Sequence, residues 1–252
     1  SNGKTTTTSL IYKIMRDAGR KVSLGGNIGE SFAYSVATEK NFWYVLELSS
    51  FQLDGMTKFR ADVGVLMNIT PDHLDRYDYK FENYAASKMR ITQNQSSADA
   101  FIYSADDDMT RQMLDKMDSS LRARQLPFAI NTAIASGDGD AVLEGYTFTA
   151  SVGKQSVTID TRKMQIHGMH NIYNAMAAAL ATLAAGVEPR VIKRSIYDFS
   201  PVEHRLEPAG ERNGIRWIND SKATNVDSVW YALESMQQPT VWIAGGTDKG
   251  ND

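Results

Sequence analysis

The residues best suited to chemistry stand at the very start of the chain, Ser1-Asn2-Gly3-Lys4-Thr5, followed by Thr6, Thr7 and Thr8. Gly-Lys-Thr is the ending of a phosphate-binding loop, where a strand gives way to a helix. A glycine lets the backbone pass close to a phosphate, and the first N–H groups of a helix are unpaired and point at an anion. A lysine here reaches the β- and γ-phosphates of a nucleotide, and the hydroxyl of Thr5 is placed to ligate magnesium. Gly-Lys-Thr also arises by chance, so on its own the tripeptide leaves nucleotide binding an open reading. Thr6 to Thr8 suit a first helical turn that satisfies its own backbone or packs on a strand. The strand and any earlier glycine that such a loop calls for are not in the sequence. The chain is therefore expected to begin inside a motif and to be a piece of something longer.

Other residues invite chemistry, each with an ordinary alternative. Glu47 interrupts the apolar run Phe42-Trp43-Tyr44-Val45-Leu46-Glu47-Leu48, where a carboxylate must be paired, metal-bound or at a strand end. His73 lies in the polar loop Thr70-Pro71-Asp72-His73-Leu74-Asp75, which would equally suit a plain turn with a local hydrogen bond. Lys88 falls on the apolar side of a helix, from which a lysine ordinarily snorkels to water. Asn27 sits in Gly25-Gly26-Asn27-Ile28-Gly29, a tight connection whose backbone can approach a ligand or simply turn left-handed. Asn171 and Asn174 read, on their own, as helix N-terminal caps.

These residues need a scaffold, and the hydrophobic pattern supplies one. Leu10, Ile11, Ile14 and Met15 recur at helical spacing up to Gly19. Val22-Ser23-Leu24 reads as a short strand and residues 31–37 as a short helix. Residues 42–48, 63–69 and 100–103 are apolar strands, of which 42–48 and 63–69 are expected to be buried on both faces. Phe81, Tyr84, Ala85 and Lys88 share a helical face within 81–92, and Asp106-Asp107-Asp108 is placed to start another helix. Strands alternating with helices predict βαβ units and a mostly parallel sheet. Residues 141–159 change to hairpin-like alternation, followed by an Ala-rich helix over 172–185 and one from Pro189 to Tyr197. Beyond Ser200-Pro201 a boundary is expected. Strands at 214–218 and 241–244 around a helix at 226–236 would then open a second α/β unit.

The bulk numbers fit that picture. With 252 residues, 42% hydrophobic and 23% charged, the chain can bury one large core or one domain and part of another. Lys and Arg number 27 against 30 Asp and Glu, and a formal charge of −3 is too mild for a nucleic-acid-binding face. Without cysteine there are no disulfides or thiolate metal sites, so a metal must be a hard cation on oxygen ligands, helped by one of four histidines. That is compatible with a reducing cytoplasm. No apolar run reaches membrane-spanning length and no signal-peptide core appears.

Taken in order, several stretches resemble the Mur ligases, ATP-dependent enzymes that add amino acids to the peptide of bacterial cell-wall precursors. They are Ser1-Asn2-Gly3-Lys4-Thr5, Gly26-Asn27-Ile28-Gly29, Glu47-Leu48-Ser49-Ser50-Phe51-Gln52-Leu53 and Asn68-Ile69-Thr70-Pro71-Asp72-His73-Leu74-Asp75. The series continues with His170-Asn171-Ile172-Tyr173-Asn174, Glu203-His204-Arg205, Asn219-Asp220-Ser221-Lys222-Ala223-Thr224-Asn225 and Gly245-Gly246-Thr247-Asp248-Lys249-Gly250. Within the family, Glu47–Leu53 and Asp220–Asn225 point to the branch that adds D-glutamate to UDP-N-acetylmuramoyl-L-alanine.

The resemblance implies an α/β fold of the P-loop type, with a mostly parallel sheet, a small antiparallel portion and the start of a second, Rossmann-like unit. It implies residues 1–204 as a central ATP-binding domain and 205–252 as the beginning of a C-terminal one. It also implies a two-stage reaction in which ATP phosphorylates a carboxylate and an amine then displaces phosphate. Asn2, Gly3, Lys4, Thr5 and Thr6 would cradle the phosphates, Arg205 would approach the γ-phosphate, and Asn174 and Asp220 would hold the rest of the nucleotide. Thr5 and Glu47 would hold one magnesium ion, His73 and a carbamylated Lys88 a second. Asn27, Thr224 and Lys249 would touch the substrates and Lys222 the reaction centre. The expected setting is a cytoplasmic monomer without nucleic-acid or membrane partners. Another amino-acid ligase of the same superfamily and a nucleotide-binding module without ligase activity are the competing readings. As it stands, without a UDP-binding domain, the chain alone is expected to make no product.

Overall fold

The computed structural model describes residues 2–117, 120–134, 139–200, 206–223 and 226–246. Helix α1 (Lys4–Asp17) buries Leu10, Ile14 and Met15, the stripe its periodicity predicts. It leads to β1 (Val22–Gly26), α2 (Phe32–Thr38), β2 (Trp43–Glu47) and α3 (Ser50–Asp54). Then come β3 (Val63–Leu66), α4 (Phe81–Met89), β4 (Ala100–Ser104), α5 (Asp108–Met117) and β5 (Arg124–Ala129). Three more strands, β6 (Gly139–Glu144), β7 (Thr147–Val152) and β8 (Gln155–Asp160), precede α6 (Met169–Ala184) and α7 (Pro189–Tyr197).

The main sheet has the order β3-β4-β5-β6-β7-β8, parallel from β3 to β6 and antiparallel from β6 to β8. The change of direction coincides with the hairpin-like texture of the sequence. Alternation along β4 divides the core between two faces. Ala100 and Ile102 join α1, α6 and α7 on one side, while Phe101 and Tyr103 pack with Tyr84, Met89 and Met113 of α4 and α5 on the other. Helix α6 is buried almost all round, from Asn174 to Leu183. Its alanines allow close approach of both the sheet and α1, and each larger buried side chain around it contributes roughly 2 kcal/mol. Among the described residues no helix is long and apolar enough to cross a membrane.

Strands β1 and β2 form a separate parallel pair, in register Val22↔Trp43 to Gly26↔Glu47. Between β2 and β3 lies a cavity of about 300 Å³ lined by Val45, Val63, Val65, Ile11, Met15 and Ile91, among others. This corrects the expectation that residues 42–48 and 63–69 are buried on both faces, since Val63 and Val65 are only half-buried beside the cavity. Trp43 to Leu46 are only half-buried, because one edge of β2 looks into the cavity.

Near the C-terminus, β9 (Glu207–Arg212) and β10 (Ile215–Asn219) form an antiparallel hairpin, followed by α8 (Val226–Glu234). The strand expected at 241–244 is not formed. Val241 is 91% and Ile243 80% exposed, and a lone extended segment with no described strand beside it gains nothing from the β conformation. The boundary expected after Pro201 falls at residues outside those described.

Candidate active site

Gly3 enters α1 with φ 84°, and no side chain caps the helix. No acidic residue occupies the first turn either. The N-terminal N–H groups and the positive end of the helix dipole are thus left for an outside anion. The left-handed φ explains the glycine only in part. A Cβ on Gly3 would stand 2.3 Å from Asn174 Oδ1, so the loop packs directly against α6. Asn2 and Asn68 clip the loop to the end of β3, Asn2 N donating to Asn68 Oδ1 at 2.7 Å and Asn68 Nδ2 to Asn2 O at 3.1 Å.

Two cavities meet this loop. The one between β2 and β3 is mostly apolar, but Lys4, Glu47 and Lys88 also line it. Glu47 ends β2 and is 3% exposed. Its Oε1 accepts from Asn27 Nδ2 at 3.0 Å, whereas Oε2 is buried without a hydrogen-bond partner. The backbone fits around it as well: Asn27 N donates to Glu47 O at 2.8 Å, and a Cβ on Gly26 (φ 98°) would collide with that oxygen at 2.3 Å. Asn27 is therefore tied to Glu47, a link between residues 20 apart that local patterns do not reveal.

Lys88 does not snorkel. It is 4% exposed on α4, with its Nζ 4.4 Å from the centre of the Tyr84 ring. Burial, reinforced by the charge of Lys4 and opposed by that of Asp72, pulls its pKa down to about 7. Asp72 is itself buried, and its Oδ1 and the Thr70 hydroxyl are without hydrogen-bond partners. His73 adopts a left-handed φ of 54°, with Nε2 3.7 Å from Asp72 Oδ1 and its ring edge-on to Phe51 at 5.3 Å. It lines neither cavity, and among the described residues no three His, Asp or Glu side chains gather as a metal cluster.

The second cavity, of about 370 Å³, is lined mainly by polar residue types and shares Met67 with the first. Asn2, Gly3, Asn174 and Asp220 line it, together with Asn68, Asp106, Asp107 and Tyr173, to which sequence reasoning gave no site role. Asn174 is 2% exposed and accepts from Thr7 Oγ1 at 3.2 Å while donating to Asn171 at 3.1 Å. Neither asparagine caps α6, which already starts at Met169. Asp220 accepts from Leu206 N at 3.1 Å. Asp107 accepts from Ile69 N at 3.2 Å and from Thr110 N at 2.9 Å, capping α5 and fixing the 68–73 loop with one carboxylate oxygen.

The other expected residues are more scattered. Thr5 is half-buried and Thr6 buried, and neither lines a cavity. Thr6 Oγ1 has no hydrogen-bond partner, and Thr7 reaches Met67 and Asn174, as residues packed under a loop do. Lys222 is half-buried in the turn after β10 and lines neither cavity. Arg205, Thr224 and Lys249 lie outside the described residues.

A family model described as Mur ligase middle domain matches residues 1–182. A protein of Bacteroides fragilis described as UDP-N-acetylmuramoylalanine--D-glutamate ligase is 51% identical over 252 residues, spanning 100% of this chain and 55% of its own. The chain thus spans about half the length of the curated relatives it matches. In structure it is similar to MurF from Acinetobacter baumannii, with TM-score 0.73 and 19% identity over 95% of this chain and 53% of that one. It is also similar to MurF ligase from Thermotoga maritima in complex with ADP, with TM-score 0.64 and 20% identity over 93% and 54% of the two chains.

Proposed function

The chain belongs to the Mur ligase family through its middle domain, and from that premise we propose that it is the ATP-handling part of a ligase joining D-glutamate to UDP-N-acetylmuramoyl-L-alanine. The observation that carries the reading is the uncapped start of α1, seated on Asn174 between a polar cavity and a second one lined by Lys4 and the buried Glu47 and Lys88. Residues 1–204 are the ATP-binding domain in this proposal, and 205–252 open the domain that receives the amino acid.

The alanine carboxylate attacks the γ-phosphorus of ATP, an O–P bond forms, and the bond to the β-phosphate oxygen breaks to release ADP. The D-glutamate amine then attacks the activated carbonyl, phosphate leaves with the C–O electron pair, and the amine gives up a proton. No side chain acts as nucleophile, so catalysis is positioning and charge neutralisation. Lys4 and the first N–H groups of α1 hold the phosphates, helped by Asn2, Gly3 and Thr6. Asn174 and Asp220 face the nucleoside in the polar cavity, and Arg205 approaches the γ-phosphate. Asn27 turns to the muramoyl-alanine end. Lys222, Thr224 and Lys249 serve the reaction centre and the incoming amino acid.

The donor set fits magnesium. The Oε2 of Glu47, which has no hydrogen-bond partner, and the hydroxyl of Thr5 are hard oxygen donors, and Asp72 Oδ1 is a further buried oxygen without a hydrogen-bond partner. Magnesium would neutralise phosphate charge, with Thr5 and Glu47 on one ion and His73 and a carbamate on Lys88 for another. Glu47→Gln accordingly should melt no lower than wild type without ligands, since an unpaired buried carboxylate oxygen costs about 1–3 kcal/mol. It should also lose the stabilisation that magnesium-ADP gives wild type. A magnesium-dependent rise in melting temperature that survives in Glu47→Gln removes Glu47 from the metal site.

The activity itself is tested on the full-length gene product, by phosphate release from ATP with UDP-N-acetylmuramoyl-L-alanine and a panel of amino acids. D-Glutamate alone should sustain turnover. Equal turnover with L-alanine or diaminopimelate in its place would reassign the branch, and none with any acceptor would reduce the chain to a nucleotide-binding module.

A further inference from the structure

Asp106 follows β4 and gathers four donors onto one carboxylate. Ile130 N donates to Oδ2 at 2.6 Å and Thr132 N to Oδ1 at 2.7 Å, with Asn131 N shared between them at 3.2 Å. The fourth is the Tyr173 hydroxyl, 2.6 Å from Oδ2. Burial alone would raise the carboxyl's pKa, but these donors outweigh it and hold the group below the usual carboxylate range. A carboxylate offers about four acceptor positions, and here the chain fills them. Asp106 therefore has no capacity left for a ligand, although it lines the polar cavity. What it does there must pass through the groups it holds.

Those groups belong to the loop after β5 and to the start of α6, and Asp106 ties both to the segment after β4. Tyr173 precedes Asn174, and its ring packs on the fully buried Phe128 with centroids 6.1 Å apart. With hydroxyl and ring both fixed, the first turns of α6 are set in rotation relative to the sheet, and with them the Asn174 amide that meets the phosphate loop. We infer that Asp106 is a positioning residue of the polar cavity, holding Tyr173 so that α6 presents Asn174 to the bound nucleotide in one orientation. The inference rests on the reading that this cavity receives the nucleotide.

The test measures magnesium-ADP binding by calorimetry, and ATP-dependent phosphate release, on the full-length gene product. Tyr173→Phe keeps the ring and removes only the hydroxyl. Its dissociation constant for ADP should rise roughly 5–20-fold while kcat at saturating ATP stays within about twofold. Asp106→Asn replaces two acceptors' worth of oxygen by an NH₂ that faces donors, and should weaken binding further. Because both changes break the same tie, the double variant should bind no more weakly than Asp106→Asn alone. A merely structural role predicts instead a lower melting temperature and a smaller active fraction at unchanged affinity. Wild-type ADP affinity in Tyr173→Phe, or additive losses in the double variant, would overturn the inference. Gly3→Ala, whose methyl would press on Asn174, separates this from failure of the underlying reading. If Gly3→Ala binds ADP as wild type does, the nucleotide lies elsewhere and both readings fall.

Discussion

Lys4→Ala in the full-length gene product should lose roughly a hundred- to a thousandfold in ATP turnover, in line with the few kcal/mol that one preorganised charge contributes at a transferring group. The fold should survive. Lys4 is the first residue of α1, while the residues that anchor the helix, Leu10, Ile14 and Met15, lie further along and are untouched. Its charge also bears on Lys88, whose pKa it helps to depress. Circular dichroism melts of the variant should stay close to wild type while phosphate release collapses. Near-normal turnover in a folded Lys4→Ala protein would sink the phosphate-loop assignment. Loss of turnover with loss of fold would show instead that the lysine is structural.

Lys88 should be equally intolerant, and its replacement by arginine as damaging as its replacement by alanine, each costing roughly a hundredfold or more where a metal-bound charge is lost. An ammonium beside a second magnesium ion would oppose it by about 4 kcal/mol per unit of charge at about 4 Å and an effective dielectric of about 20. A carbamate reverses the sign. The neutral amine would attack carbon dioxide with an N–C bond formed and one proton lost, and two oxygens sharing one negative charge would stand where the cation was. Burial on α4, with the pKa drawn down to about 7, keeps much of the side chain neutral near neutral pH and so able to react. Turnover should fall when bicarbonate is stripped and return when it is restored. Arginine keeps the charge and cannot form the adduct. Substantial turnover in Lys88→Arg would end the idea, as would intact-mass spectra showing only unmodified lysine in active, magnesium-loaded protein.

What could be read from the sequence was whatever repeats locally. The stripe on α1, the apolar runs of β3 and β4, and the glycine that enters α1 are contained within a few residues each. Strand β5 was not legible, because Arg124-Gln125-Leu126-Pro127-Phe128-Ala129 carries a charge and a proline. It forms because Leu126 and Phe128 are fully buried, and because Pro127 sits where β5 has only β4 beside it; β6 pairs only with Phe128 and Ala129. Residues 241–244 err the other way, since β propensity without a neighbouring strand is not a strand. At the site, Glu47 and Lys88 could be singled out as polar residues in apolar settings. Their partners could not. The Asn27–Glu47 and Asp106–Tyr173 bonds join residues 20 and 67 positions apart, and nothing in local spacing encodes such pairs.

The split between β2 and β3 bears on how the chain behaves in concentrated solution. β2 spends one edge on β1 and β3 spends one on β4, and their other edges confront each other across a gap. Each such edge displays N–H and C=O groups at strand spacing, and Val45, Val63 and Val65 dress the gap with β-branched side chains. Natural edges are usually blunted by lysine, proline or a bulge, but β2 reads Trp-Tyr-Val-Leu-Glu and β3 reads Val-Gly-Val-Leu. An extended apolar segment from a neighbouring molecule can be taken up there by strand addition. The seam beside the start of α1 is thus built as an unpaired strand edge as well as a cavity wall.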